Sequence, residues 1–276
     1  VRLEALPPTA LGPYPVARPD IGLRFLALPR YVGETSLVRH RAANPAVLTP
    51  VGNAATIGDG RLGPVMDVPD ASGLQWSAID ANILSGLSSV SICIYCRLTT
   101  IESFGGWFGL GGTDARGVLH VFSGGSTWAM RTVTTNVNFG NASIADSLWH
   151  AHVITYDLST VTHYMDGAQA GSAGSYSQPF GTTYTSVIRL GMADNISFVS
   201  MGQYAVFAVL DHDIGLAGAA AFAANPYRYL EPRRIFVPAP AAAGGAITGL
   251  LRNDVSAITK GHQSVRASQL GGVLVG

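Results

Sequence analysis

Short apolar runs, broken by Gly, Pro, Asp and Asn turns, recur along most of the chain. They fall at Gly22 to Leu28, Leu62 to Val68, Ser89 to Leu98, Trp107 to Leu110, Gly117 to Phe122 and Thr127 to Val133. Further runs fall at Trp149 to Tyr156, Val161 to Met165, Ser186 to Gly191 and Gly202 to Leu210. Runs of this length, with almost no helical periodicity, predict the antiparallel strands of a sandwich or jelly roll. From Val90 the alternation is plain: Val90, Ile92, Ile94, Cys96 and Leu98 share one face, and Ser91, Cys93, Tyr95 and Arg97 the other. That pattern predicts a half-buried strand with the first set inward. One short helix is predicted, near Leu216 to Ala224, stopped before Asn225-Pro226.

The two ends read differently from the middle. Pro7, Pro8, Pro13, Pro15 and Pro19 bar a central strand or helix interior, so residues 1–22 are expected to form an extended arm. Residues 23–230 form the predicted sandwich, 231–245 a Pro/Ala linker, and 246–276 a β-prone tail too short for a core of its own. Such a tail is expected to complete a sheet on this subunit or a neighbour's, with assembly contacts at Arg233, Arg234, Ile235, Phe236, Val265 and Leu270.

Composition narrows the class. The chain has 276 residues, of which 47% are hydrophobic and only 12% charged, against about 25% charged in average soluble domains. Net charge is zero, which leaves no electrostatic footprint for nucleic acid. No apolar run approaches the ~20 residues of a spanning helix. Val-Arg-Leu-Glu followed by prolines lacks a signal-peptide core, so a protein with neither membrane span nor leader is expected. Cys93 and Cys96 are the only cysteines. On a strand, residues three apart point to opposite faces, so a structural pair of thiols is expected rather than a redox or zinc site.

The segment Trp149-His-Ala-His-Val-Ile-Thr-Tyr-Asp157, with Val161-Thr-His-Tyr-Met-Asp-Gly167 after a short turn, is a hairpin by its pattern. It resembles the laminin G-like signature W-H-H-V-A-V-T-Y-D followed by V-x-L-Y-V-D-G. The order of flanking strands extends the resemblance over roughly Gly22 to Leu230. It implies an all-β, two-sheet antiparallel jelly-roll sandwich of the concanavalin A-like type, with one short C-terminal helix and extended arms. Asn225-Pro-Tyr-Arg-Tyr-Leu-Glu-Pro-Arg-Arg-Ile-Phe-Val-Pro238 looks like an extension found on laminin G-like proteins of tailed bacteriophages. That resemblance implies a virion structural protein, a capsid decoration or a tail-fibre component, made in the bacterial cytoplasm. It would assemble with itself, as a trimer by analogy, and with other virion proteins.

The candidate chemistry is sparse. Glucanases of this fold carry paired carboxylates on alternate strand residues, as in E-x-D-x-E. Here Glu4, Glu34, Glu102 and Glu231 each lack an acidic residue two positions away, and no G-x-S-x-G elbow occurs, so no enzyme is expected. His150, His152 and His163 share one face of the hairpin and are expected to be packing or rim residues rather than zinc ligands. No cofactor is expected; the candidates for a calcium site are Asp211 and Asp213, or Asp194 with Asn195, and turn formation explains these residues at least as well. The rival to a structural protein is a lectin-like module gripping a host glycan. Its candidate aromatics are Trp107, Trp128, Tyr176 and Tyr184, beside polar loops.

Overall fold

A computed structural model describes residues 16–17, 22–37, 48–69, 75–78, 87–101, 106–111, 119–123, 128–131, 136–139, 145–175, 187–191, 200–228, 230–231, 235–238 and 249–252. In chain order the first strands are β1 (Val16–Ala17), β2 (Leu23–Ala27), β3 (Thr49–Val51), β4 (Ala55–Asp59), β5 (Gly63–Val68), β6 (Gln75–Ala78) and β7 (Val90–Ile101). Then follow β8 (Gly106–Gly111), β9 (Leu119–Ser123), β10 (Trp128–Arg131), β11 (Asn136–Phe139), β12 (His150–Tyr156), β13 (Thr160–Met165), β14 (Ala168–Gln169) and β15 (Gly174–Ser175). The last elements are β16 (Val187–Leu190), β17 (Ser200–Leu210), α1 (Gly215–Ala224), β18 (Leu230–Glu231), β19 (Ile235–Pro238) and β20 (Gly249–Arg252).

These strands make the expected two-sheet jelly-roll sandwich. One sheet has nine strands, in the order β14-β13-β12-β7-β17-β5-β4, with β15 beside β13 and β2 beside β17. The other has seven, in the order β11-β10-β9-β8-β16-β6-β3. The pairing is antiparallel, and β7 and β17 form the centre of the larger sheet.

β7 and β17 are long and apolar on alternate positions, so one face of each turns to the opposing sheet. Ile92, Ile94, Cys96 and Leu98 of β7 and Tyr204, Phe207 and Val209 of β17 are buried there. Phe25 meets Phe207 edge to face at 5.9 Å. The other set was expected to face outward, yet Ser91 and Cys93 are fully buried. The cause is α1, which packs its Ala219 and Phe222 on this outer face together with Cys93, Ala151, Val153, Val206, Ala208 and Tyr227. Burying a ring such as Phe222 is worth about 2–3 kcal/mol by transfer alone. Ser91 fixes the helix entry: its Oγ donates to the His212 carbonyl (2.7 Å) and accepts from the Ile214 N–H (3.0 Å). Cys93 and Cys96 form no disulfide, and lie on opposite faces as expected.

The ends pair outside both large sheets. β1, within the range expected for the N-terminal arm, pairs with β18, and β19, within the expected linker, pairs with β20 of the tail.

Candidate functional site

Three side-chain groups carry the polar chemistry of the described residues. The first is on the hairpin that carries the laminin G-like resemblance. Asp157 closes the β12–β13 turn, its Oδ1 accepting from the N–H and hydroxyl groups of both Ser159 and Thr160. The Ser159 hydroxyl bond leads the set of contacts that lower the Asp157 pKa. At the opposite end of the strand, His150 lies between two carboxylates: its Nδ1 is 2.7 Å from Asp166 and its Nε2 3.0 Å from Asp146. Burial disfavours the charge on His150, but the bonds to Asp166 and Asp146 and their charges outweigh it and raise the pKa.

His152 and His163 share the inner face with His150, as their positions implied. They stack at 5.4 Å, and His152 Nδ1 meets His163 Nε2 at 3.1 Å. Burial, and for His152 the neighbouring imidazoles, lower both pKa values, that of His163 to about 4. Both rings are therefore neutral at neutral pH. Both rings are almost fully buried, so this face is a packed one. Among the described residues no three His, Cys, Asp or Glu side chains form a metal-holding group.

The second group crosses the outer face of the large sheet. Asp67 of β5 stands opposite Gln203 of β17, which stands opposite Arg97 of β7. Arg97 Nη2 donates to Gln203 Oε1, and Gln203 is hydrogen-bonded to Asp67. The guanidinium sits over the Trp149 ring at 5.5 Å, and Trp149 packs on Tyr95 at 5.3 Å. Asp59 lies 3.9 Å from Arg97 and accepts from the N–H groups of Arg61 and Leu62 (both 2.9 Å). Burial raises the Asp67 pKa, against the opposing pull of Gln203 and Arg97. Arg97 keeps 32% of its side chain exposed, so the row is open to solvent.

The register that builds this row depends on two irregularities. Pairing shifts between Met201 and Gly202 and between Tyr204 and Val206, bringing Gln203 level with Arg97. Gly202 permits the close approach: a Cβ there would stand 2.4 Å from the Arg97 carbonyl oxygen.

The third group is a loop against the β4 edge. Glu34 is 2% exposed and binds the Arg30 N–H (2.6 Å), Nε (3.1 Å) and Nη2 (3.0 Å). Thr56 Oγ1 donates to the Glu34 carbonyl, and the Gly33 N–H to the Thr56 carbonyl. This part-buried pair holds out a tip whose Tyr31 and Val32 are 56% and 61% exposed, with Arg30 near the Tyr31 ring at 5.8 Å. Val32 also faces Gly58, the residue before Asp59, so the tip borders the strand that carries the Asp59 contact to Arg97.

The sequence candidates are distributed elsewhere. Asp211 pairs with Arg24 (3.3 Å) and His212, and Asp213 accepts the Gly215 N–H (2.6 Å) at the start of α1. Trp107 stands at the β8–β9 register shift, and Trp128 opposite Ser123 and Phe139. Ile235 and Phe236 belong to β19, paired with Arg252 and Leu251. Asp194, Tyr176, Tyr184, Arg233, Arg234, Val265 and Leu270 lie outside the described residues. Sequence reasoning missed Tyr31 and the Asp67–Gln203–Arg97 row. Arg30 and Glu34, four apart around Gly33, were the one local signal for the loop.

No protein-family model matches the chain. No curated protein matches it in sequence. The fold is similar to that of domain 4 of AbnA, a GH43 extracellular arabinanase from Geobacillus stearothermophilus, in complex with arabinotriose. There the TM-score is 0.51 at 14% identity, over 63% of this chain and 82% of that one. It is also similar to the botulinum neurotoxin type C structure that concerns interaction with two ganglioside molecules (TM-score 0.54, 11% identity, 73% of this chain and 50% of that one). A third similar structure is Trypanosoma rangeli sialidase (TM-score 0.54, 11% identity, 75% and 33%). The chain thus spans half the length of the toxin structure and a third of the sialidase. At these identities the likeness is one of fold.

Proposed function

We propose that this chain is a non-enzymatic carbohydrate-recognition module. The observation that carries the reading is the outer-face row, in which Asp67, Gln203 and Arg97 are linked edge to edge and Arg97 is seated on Trp149. Planar carboxylate, amide and guanidinium groups offer fixed donors and acceptors to sugar hydroxyls, and a held guanidinium loses little freedom on binding. Tyr31, at the end of a loop fixed by the part-buried Arg30–Glu34 pair, adds an exposed aromatic face for a sugar ring. Similarity in fold to an arabinanase domain in complex with arabinotriose, and to a neurotoxin structure that concerns interaction with gangliosides, supports the class. A hydrolytic role has less to stand on. Asp59 is held by its own turn, and Asp67 faces Gln203 rather than a second carboxylate.

A glycan array probed with the labelled full chain tests the reading. Binding to a defined set of oligosaccharides, reduced at least about tenfold in Tyr31→Ala or Arg97→Met, is expected. A folded chain that binds no glycan would end it.

The second reading, a structural protein displayed on a tailed-phage particle, is favoured by β19 and β20. An isolated two-stranded ladder is marginal in water. Among the described residues neither strand pairs with a third, so the hairpin offers edges on which a neighbouring subunit's strand can add. The two readings are compatible, since a displayed subunit can carry the sugar site.

A further inference from the structure

We infer that the outer-face row selects neutral oligosaccharides over acidic ones; the inference rests on the carbohydrate reading and names its ligand class. An acidic sugar is gripped by an uncompensated cation, best by a guanidinium fork with both N–H edges available. Arg97 is not such a group. Its Nη2 already donates to Gln203, and its charge faces Asp59 at 3.9 Å and Asp67 through the electrostatic field. Among the described residues, Arg61 lies two positions after Asp59 on the turn, and Arg30 of the neighbouring loop is paired with Glu34. Even with Arg61 counted, two arginines stand against Asp59 and Asp67, so these residues present no net positive charge. A sugar carboxylate would shed its water to meet two carboxylates and a guanidinium whose Nη2 is engaged and whose Nε is buried out of reach, which is unfavourable.

A pair of neighbouring hydroxyls suits the same row well. Each hydroxyl gives one hydrogen and takes others, so a diol bridges the Asp67 carboxylate and the Gln203 or Arg97 donors without any change in charge. The preference is thus written into the register that alternates acceptor, amide and cation across β5, β17 and β7.

The test compares ligands that differ only in charge. Calorimetric titration of the full chain with trigalacturonate and with its fully methyl-esterified form isolates the carboxylates; arabinotriose and 3′-sialyllactose extend the comparison. The ester and arabinotriose are expected to bind at least tenfold more tightly than the two acids. Asp67→Asn removes one negative charge at nearly constant shape and is expected to narrow that gap severalfold. Arg97→Lys, with the charge kept and the planar fork lost, is expected to weaken the neutral ligands about tenfold. Tighter binding of the acids, or a gap unmoved by Asp67→Asn, overturns the inference and leaves the carbohydrate reading standing. A chain shown by circular dichroism to be folded that binds none of the four ligands overturns the inference, and the glycan array then decides the carbohydrate reading.

Discussion

His150 faces a carboxylate oxygen from each ring nitrogen. A carboxylate only accepts, so both bonds require both N–H groups and hence the imidazolium. The cation joins the Asp146 segment to the Asp166 turn, where Asp166 Oδ1 also takes the Ala151 N–H (3.0 Å). Because its folded pKa is raised, the stabilisation is full below the unfolded value of 6.5 and is lost as pH rises through the folded one. About 40% of each carboxylate side chain is exposed, so solvent screening keeps the effect small. His152 and His163 act in the opposite sense. Their folded pKa values are lowered, so below pH 6.5 the unfolded chain binds protons that the folded chain refuses. Stability is therefore lost as pH falls toward about 4, by roughly 3 kcal/mol for His163 alone. Melting temperature is expected to drop steeply between pH 6.5 and 4, and to drop far less in the His152→Leu/His163→Leu variant. A variant with the wild-type slope would assign the acid sensitivity elsewhere. That these histidines share one face was readable from strand alternation; their opposite titration was not, since it depends on which of them meets carboxylates across a turn.

Among the elements, α1 most changes what the sequence implies. Its position was legible in the Ala-rich run ended by Asn225-Pro226, and it spans Gly215–Ala224. Its seat was not legible, because Ser91 and Cys93, which it helps to cover, lie more than 120 residues earlier and alternate like surface positions. The small residues of α1 let it lie close to the sheet. At Gly167, where φ is +84°, a Cβ would stand 2.9 Å from the Ala220 Cα. Phe222→Ala is expected to cost about 3–5 kcal/mol in denaturant unfolding, through lost transfer energy and the cavity left behind. Leu216→Ala, at a 56% exposed position of the same helix, is expected to stay within about 0.5 kcal/mol. Equal effects at the two positions would mean that α1 is not held by its inner face.

At the scale of the whole molecule, the sandwich was readable from short strands and turn residues because each such signal is local. The candidate site was not, because Asp67, Gln203 and Arg97 come from three strands and meet only through the β17 register shifts. The displayed-subunit reading proposes that the terminal arms carry assembly. Light scattering of the full chain is expected to give an oligomer, and removal of residues 246–276, which include β20, to give a folded monomer. An oligomer of unchanged mass would move the interface off the tail, and a full chain that is already monomeric would remove the case for assembly.

β17 also sets the timing of folding. It pairs with β7, more than 100 residues before it, and with β2, which starts at Leu23. The middle of the nine-stranded sheet cannot close until residue 210 has left the ribosome, so β2, and β7 on the edge that β17 takes, lack this partner until then. Contacts so distant along the chain make for slow folding, and a nascent chain halted between β7 and β17 would hold two edges with nothing between them.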